Sequence, residues 1–258
     1  FFIFKSNKYT QWIILIMIVF SITTIFLTGE RAAFILSVFG LTILIFINNK
    51  LRKILSYSTI LLFIFVVISL AFNPVLKKRM LDYTFFQMGL SDKWAGEDKS
   101  YLALLGKNKS KFIDSPHGAH YEVAYEIWKD NQLFGVGLKK FRIVCDDVKY
   151  NNLKSVLKKQ RCSSHPHNTY LELLSETGVL GLILFLVFIY NIFTKYLRGL
   201  NLNNDIIVLM LILTIFLRIW PIIPTGSFFT NSSLVHFWLT LGLLNYFHVN
   251  KKNIKLQI

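Results

Sequence analysis

Charged residues are scarce in this chain of 258 residues, in which Asp, Glu, Lys and Arg together make up 17%. A soluble domain carries about 25% charged residues, so the deficit argues against a soluble globular protein. The 13 Gly and 5 Pro exclude a collagen-like repeat, and the 2 Cys exclude a disulfide-dense scaffold. The 53% of hydrophobic residues exclude intrinsic disorder. Because these residues are bunched into long apolar runs, the composition predicts an integral membrane protein.

Acidic residues are also few, since 14 Asp and Glu stand against 29 Lys and Arg and the net charge is +15. In a soluble protein this excess would raise the question of nucleic-acid binding. Here many of the cations lie in short flanks beside apolar runs, where cations orient membrane helices and attract anionic lipid. No basic helix or aromatic-basic platform is recognisable. Membrane lipid is therefore an expected partner, and nucleic acid is not.

Apolar runs of about 18 residues or more predict transmembrane helices. The six candidate spans are Trp12–Thr28, Ala32–Ile47, Ser56–Phe72, Gly178–Tyr196, Asp205–Ile223 and Phe228–Phe247. The predicted fold is all-α and polytopic, with three transmembrane helices in residues 1–72, a helical outer-loop subdomain in residues 73–167 and three transmembrane helices in residues 168–258. The first residue is Phe rather than Met. We therefore expect the C-terminal part of a larger membrane protein.

Basic clusters beside the apolar runs predict which face each loop occupies. The cluster Lys50–Lys53, the pair Lys195 and Arg198, and both termini fall on one face, which the positive-inside rule assigns to the cytoplasm. The long loop and the turn at residues 221–231 fall on the opposite face, together with both Cys and most of the His. This asymmetry predicts that any chemistry takes place at the outer face.

One outer segment carries the residues best suited to chemistry. Pro166 fixes the backbone before His167, and His167 with Asn168 opens a helix whose polar stripe includes Glu172 and Glu176. Carboxylates on a segment that enters the bilayer are costly unless they face protein or a wet cavity, so a polar pocket is expected here. His167 is suited to proton transfer near neutral pH. The alternative is an interfacial His that only caps and packs.

This segment resembles the O-antigen ligase and O-antigen polymerase superfamily of bacterial envelope glycan transferases. His167 is followed by Asn168, nine residues, Gly178, two residues and Gly181, a spacing that matches the superfamily's ligase-like motif.

Three further features are similar to that superfamily. They are a G-x-G-x-x-x-F signature at residues 135–141, Arg31 at the outer end of a helix, and the last outer turn at residues 220–229. Because these motifs occur in order, the resemblance extends over nearly the whole chain.

The resemblance implies a GT-C-like fold and glycan transfer from a polyprenyl-diphosphate donor at the periplasmic face of the bacterial inner membrane. It implies that no nucleotide sugar, metal or other cofactor takes part. The acceptor would be lipid A-core, another glycan or a protein hydroxyl, and the choice between ligase and polymerase stays open.

The leaving group of this reaction is a lipid diphosphate, which needs fixed cations at the membrane surface. Arg binds phosphate bidentately, so Arg31 and Arg218, near the outer ends of their spans, are expected to clamp the diphosphate. His167 is expected to assist deprotonation of the acceptor hydroxyl. For both Arg the alternative is an interfacial anchor.

Many superfamily members carry an Arg early in the outer loop, where this chain has His117 and His120. These two His are expected to replace that Arg functionally. The residues expected to bind substrate are His117, His120, Arg142, His165, Asn168, Glu172 and Glu176.

Two alternatives compete with the transferase hypothesis. The pairs His117/His120 and His165/His167 have the spacing of zinc ligands, although no acidic fourth ligand accompanies them. A transporter or flippase of an anionic envelope lipid could use the same cations without chemistry, although no paired interrupted helices indicate an internal repeat.

Cys145 and Cys162 both lie in the outer loop. An oxidising compartment favours a disulfide between them over a catalytic thiol.

Overall fold

The computed structural model describes residues 8–87, 112–155 and 157–250. Every regular element in these ranges is helical, which confirms the predicted all-α class. The α-helices are α1 (Lys8–Thr28), α2 (Arg31–Ile47), α3 (Arg52–Phe72), α4 (Pro74–Lys77), α5 (Tyr83–Gln87), α6 (Pro116–Asp130), α7 (Phe141–Val144), α8 (Thr169–Leu197), α9 (Ile206–Arg218) and α10 (Asn231–Val249). A π-helical turn spans Lys78–Asp82, and 3-10 turns span Phe112–Asp114, Val148–Asn151 and Lys158–Gln160. Residues 88–111 of the predicted loop subdomain lie outside the described ranges.

Two helices, α3 and α8, are long and apolar enough to cross a membrane. Helices α2 and α9 and the Trp12–Thr28 part of α1 are apolar but shorter. The arrangement of six spans and the GT-C-like fold therefore stay predictions.

The last two predicted spans differ from the helices by a few residues on either side of the turn that separates them. Helix α9 ends at Arg218 rather than Ile223, and α10 begins at Asn231 rather than Phe228. Pro221 and Pro224 account for the earlier end of α9, because Pro lacks a backbone N–H and disfavours helical backbone in the residue before it. A hydropathy window counts the apolar residues around these prolines without registering the break.

Internal contacts divide the chain into two compact units. Of the described residues, the first unit comprises 8–81, 199–217 and 242–250, and the second comprises those between 82 and 198 and between 218 and 241. In the first unit, α1, α2, α3 and α9 share an apolar core, with Ile22, Leu44 and Leu209 among its buried side chains.

Polar contacts join the turn after α2 to the turn before α9. The buried side chain of Asn48 donates to the Leu202 carbonyl. The Asn49 backbone N–H donates to Asn203 Oδ1 at 2.8 Å, and Lys50 donates to Asn204 Oδ1 at 2.6 Å. Both turns therefore lie on the same side of the first unit.

The second unit is built around α6, which packs against α8. Buried Val123 and Ile127 of α6 contact Phe141 and Cys145 of the following segment. Cys145 and Cys162 form a disulfide, with their Cα atoms 5.3 Å apart. Buried Arg161 donates to the Cys145 carbonyl at 2.7 Å, so the two ends of the disulfide loop are also joined by a hydrogen bond.

Helix α8 is interrupted at Gly178, which has φ +70° and ψ −173°. A Cβ at this position would lie 2.2 Å from the Leu133 carbonyl oxygen, and a Cβ at Gly135 would lie 2.4 Å from the Glu176 carbonyl carbon. The loop after α6 and the break in α8 therefore pack backbone against backbone. Only glycine fits at these two positions, which belong to the two Gly-containing motifs seen in the sequence.

Candidate functional site

Four histidine rings meet near the N-terminal ends of α6 and α8. The centroid of the His167 ring lies 5.1 Å from that of His117, 5.2 Å from that of His120 and 4.2 Å from that of His165. These four side chains, which the sequence places in two separate motifs, therefore form one cluster. We call it the histidine cluster.

The start of α6 fixes the position of two members of this cluster. The Ser115 hydroxyl caps the helix by accepting from the Gly118 N–H at 3.0 Å, and it donates to the Phe112 carbonyl at 2.7 Å. Pro116 occupies the first turn, where its missing N–H leaves no helical hydrogen bond unmade. A Cβ at Gly118 would lie 2.2 Å from the Phe112 carbonyl oxygen, so this close packing requires glycine.

His167 has a left-handed backbone with φ +60°. This conformation costs a residue other than glycine about 1–2 kcal/mol. The His167 carbonyl accepts from the Thr225 N–H at 2.9 Å and from the Tyr121 hydroxyl at 3.4 Å. These two partners hold the strained residue in place, and strain of this kind concentrates at functional sites.

Asn168 caps α8 and joins it to the turn between α9 and α10. Its Oδ1 accepts from the N–H groups of Tyr170 and Leu171, and its Nδ2 donates to the Pro221 carbonyl at 2.8 Å. An Asn at this position satisfies N–H groups that the first helical turn leaves unpaired. These contacts make Asn168 a residue that positions His167, its neighbour in the chain.

His165 is held at both ring nitrogens. Its Nδ1 lies 2.8 Å from the Ser164 hydroxyl, and its Nε2 lies 3.2 Å from the Thr225 carbonyl oxygen. Thr225 therefore contacts His165 through its carbonyl and His167 through its N–H.

Burial favours the neutral form of three members of the histidine cluster. Burial, followed by the like charges of His165, His117 and His120, lowers the pKa of His167 to about 3. Burial also lowers the pKa of His120 and of His165. A neutral imidazole keeps a lone pair that can accept a proton from a hydroxyl group or bind a metal ion.

Glu172 and Arg218 each form a hydrogen bond with Ser227. The buried Glu172 carboxylate accepts from the Ser227 hydroxyl and from the Phe228 N–H at 2.7 Å. The half-buried Arg218 guanidinium donates to the Ser227 carbonyl at 3.3 Å and to the Ser233 hydroxyl at 2.6 Å. Glu172 thereby anchors the turn that carries Thr225, and Arg218 is fixed beside it.

The carboxylate of Glu176 makes its contacts in a different place from that of Glu172. The buried Glu176 carboxylate accepts from the N–H groups of Lys139 at 2.6 Å and Phe141 at 3.2 Å, which secures the loop between α6 and α7. Arg142 is exposed on α7. In the part of the chain that is described, the ring contacts of the histidine cluster involve neither residue.

Arg31 belongs to the first unit, where it is the first residue of α2. The turn before it contains Gly29, whose φ is +75°. A Cβ on Gly29 would lie 2.5 Å from Nε of Arg79, so the Arg79 side chain packs directly on this turn.

Residues 16–186 match the family model of the O-antigen ligases. The chain belongs to the O-antigen ligase family. The match includes the His167 motif, so the resemblance found in the sequence is confirmed. Neither the curated proteins nor the solved structures contain a match to the chain. Membership of the O-antigen ligase family carries membrane association and glycan transfer of the ligase or polymerase type.

Two residues near the candidate sites of this O-antigen ligase family member escaped the sequence analysis. Tyr121 contacts both the His167 carbonyl and the Asn168 side chain. Its position directly after His120 is the feature of the sequence that could have indicated this role. Arg79 packs on the turn before Arg31. The basic cluster directly after the third apolar run is the feature of the sequence that could have indicated it.

Three of the four histidines in this ligase-family chain bring their ligand atoms close together. Those of His117, His120 and His167 all lie within 4.8 Å of one another. His165 is not part of this group, and both its ring nitrogens have other partners. The zinc site of four histidines considered from the sequence is therefore not the arrangement that the structure contains.

Proposed function

We propose that this chain transfers a glycan from a polyprenyl-diphosphate donor to an acceptor hydroxyl at the periplasmic face of the inner membrane, without a metal or other cofactor. The supporting observation is His167, a neutral imidazole that is held by a strained backbone and surrounded by three other imidazoles. Membership of the O-antigen ligase family supplies the reaction class.

In the proposed reaction the acceptor oxygen attacks the anomeric carbon of the donor sugar. The bond between that carbon and the diphosphate oxygen breaks, and the polyprenyl diphosphate leaves with the electron pair. The acceptor hydroxyl gives its proton to a ring nitrogen of His167. A positioned general base of this kind accelerates a reaction by about 10²–10⁴-fold.

Donor binding changes the strength of this base. With a pKa of about 3, His167 is a weak base in the free protein. The negative charge of a diphosphate favours the imidazolium form, so a bound donor raises the pKa of His167 towards the ambient pH. Because a general base works best when its pKa lies near the operating pH, the site becomes competent when the donor is in place.

Arg218 supplies a cation for the diphosphate in the second unit. Its guanidinium is fixed by Ser227 and Ser233, so little side-chain entropy is lost on binding a phosphate. His117 and His120 offer ring nitrogens to the sugar or the diphosphate. From the sequence, Arg31 is a further proposed contact of the diphosphate.

The test uses full-length protein in nanodiscs with a polyprenyl-diphosphate-linked glycan and acceptor from the native host. Release of free polyprenyl diphosphate is measured for the wild type, His167→Asn, Arg218→Gln and a control, His236→Gln, in which the exposed His236 on α10 is replaced. We expect at least a 100-fold loss for His167→Asn, a smaller loss for Arg218→Gln and none for the control.

Two further outcomes bear on the proposal. Release that survives a chelator supports a metal-free reaction, and release lost on chelation contradicts it. Donor that crosses the bilayer intact, with no bond cleaved by the wild type, overturns the transferase in favour of lipid transport.

A further inference from the structure

We infer that His117, His120 and His167 form a binding site for a divalent transition-metal ion, with zinc the best fit, and that bound zinc inhibits glycan transfer by occupying His167. The binding rests on the geometry of the three residues alone. The inhibition rests on the proposed function as well.

The distances between the three side chains suit a single ion after a small adjustment. Their ligand atoms lie within 4.8 Å of one another, and no pair of ring centroids is more than 6.2 Å apart. Tetrahedral zinc at about 2.0–2.1 Å from each nitrogen holds the nitrogens about 3.4 Å apart. Side-chain rotations that move the ligand nitrogens by about 1 Å bring them to this spacing, and such rotations lie within the ordinary freedom of rotamers.

His120 provides a second and independent observation. The side chain is only 7% exposed, and its buried Nδ1 has no hydrogen-bond partner among the described residues. A neutral imidazole can bind a metal ion through the ring nitrogen that carries no proton. The orphaned Nδ1 of His120 is therefore a nitrogen that a metal ion would satisfy.

The chemistry of the ligands selects the ion. Three imidazole nitrogens suit zinc, copper or nickel, whereas calcium and magnesium require oxygen ligands. Zinc is the best fit because it accepts three protein ligands and an open fourth position. His165 leaves that fourth position open, since Ser164 and Thr225 engage its ring nitrogens.

The same arrangement makes the ion removable. The group contains no carboxylate, so no negative charge offsets that of the ion. Arg218 lies close enough for its positive charge to disfavour further positive charge at His165, whose ring is next to the site. We therefore expect zinc to bind reversibly and to be withdrawn by a chelator. While bound, it takes the lone pair on His167 to which the acceptor would transfer its proton.

The binding experiment uses full-length protein in nanodiscs, purified through an affinity tag that contains no histidine. Zinc affinity is measured by competition with a chromophoric chelator, and Co²⁺ is added as a spectroscopic probe of nitrogen ligation. The variants are His120→Gln, His117→Gln as a second ligand change, and His236→Gln as the matched surface control. Thermal unfolding establishes that each variant is folded.

We expect one zinc ion per wild-type chain, with visible Co²⁺ absorption typical of a tetrahedral site. Each ligand variant should weaken zinc binding by at least about tenfold, and His236→Gln should leave it unchanged. Wild-type affinity in both folded ligand variants, or an equal loss in the control, would overturn the site.

Inhibition is measured separately by titrating zinc into the polyprenyl-diphosphate release assay. We expect at least a tenfold fall in release at saturating zinc, reversed by a chelator. Zinc that binds without slowing release overturns the inhibition and leaves the site. A metal-free wild type with no release contradicts the proposed function, while the binding experiment still decides the site.

Discussion

His167 combines a left-handed backbone with the imidazole proposed to take the acceptor proton. These two properties can be separated by substitution. Asn tolerates left-handed backbone and has no imidazole, whereas the β-branched Val avoids this conformation. The residue therefore offers a direct test of whether its backbone or its side chain matters for activity.

For His167→Asn we expect an unfolding temperature close to that of the wild type, together with the loss of polyprenyl-diphosphate release. For His167→Val we expect the same loss of activity and a free energy of unfolding lower by about 1–3 kcal/mol, because the strain rises. Thermal unfolding and the release assay measure the two effects. Equal stability of the two variants would show that the backbone at His167 carries no such strain.

The pH dependence of stability also belongs to this residue. The pKa of His167 is about 3 in the folded chain, below the ordinary value of 6.5. Between these values the unfolded chain binds a proton that the folded chain does not, so acidification below pH 6.5 lowers the free energy of unfolding. We expect thermal unfolding to show a smaller loss on acidification for His167→Asn than for the wild type. Parallel curves for the two proteins would contradict the buried, neutral state of this histidine.

At the scale of elements, the start of α8 is positioned by the loop that packs on its break. Gly178 has backbone angles that essentially only glycine adopts, and its hydrogen atoms face the Leu133 backbone. The contact therefore links the G-x-G turn to the helix that begins beside His167.

We expect Gly178→Ala to lower the free energy of unfolding by at least about 1–3 kcal/mol and to reduce release, since α8 must shift. Gly242→Ala is the matched control, because a Cβ at Gly242 meets no atom within 4 Å and alanine favours the helix. Thermal unfolding of both variants measures the difference. A Gly178→Ala protein as stable as the control would rule out the close packing described here.

The sequence predicts the all-helical class because long apolar runs favour helices. It also identifies the histidines, because their motifs have specific spacing. It does not predict the backbone partners of Glu176, since a carboxylate in a helix looks the same whether it faces a substrate or backbone N–H groups. The partners of Glu176 lie 37 and 35 residues away in sequence, and no local pattern encodes a contact of that kind.

For the whole molecule, the disulfide between Cys145 and Cys162 depends on the side of the membrane that the loop occupies. If the loop is periplasmic, the pair is oxidised in cells with a working periplasmic oxidation pathway and reduced in cells without one. Alkylation of free thiols followed by a gel shift measures this. Free thiols in wild-type cells would contradict the periplasmic placement.

The disulfide also stabilises the second unit. Its two cysteines are 17 residues apart, and closing a loop of that length is worth about 3 kcal/mol in the chain-entropy model. The double variant Cys145→Ala/Cys162→Ala should therefore unfold at a lower temperature than the oxidised wild type. An unchanged unfolding temperature would mean that the Arg161 contacts suffice to hold the loop.

The polar contacts between the turn after α2 and the turn before α9 have a consequence for biosynthesis. Asn48 and its partner Leu202 are 154 positions apart in the chain. At about 5–20 residues per second, the ribosome completes the first turn roughly 8–30 s before it makes the second. The Asn48 amide can therefore make this hydrogen bond only after the segment before α9 has been synthesised. Until then the N-terminal helices lack one of the contacts that tie their turn to the rest of the first unit.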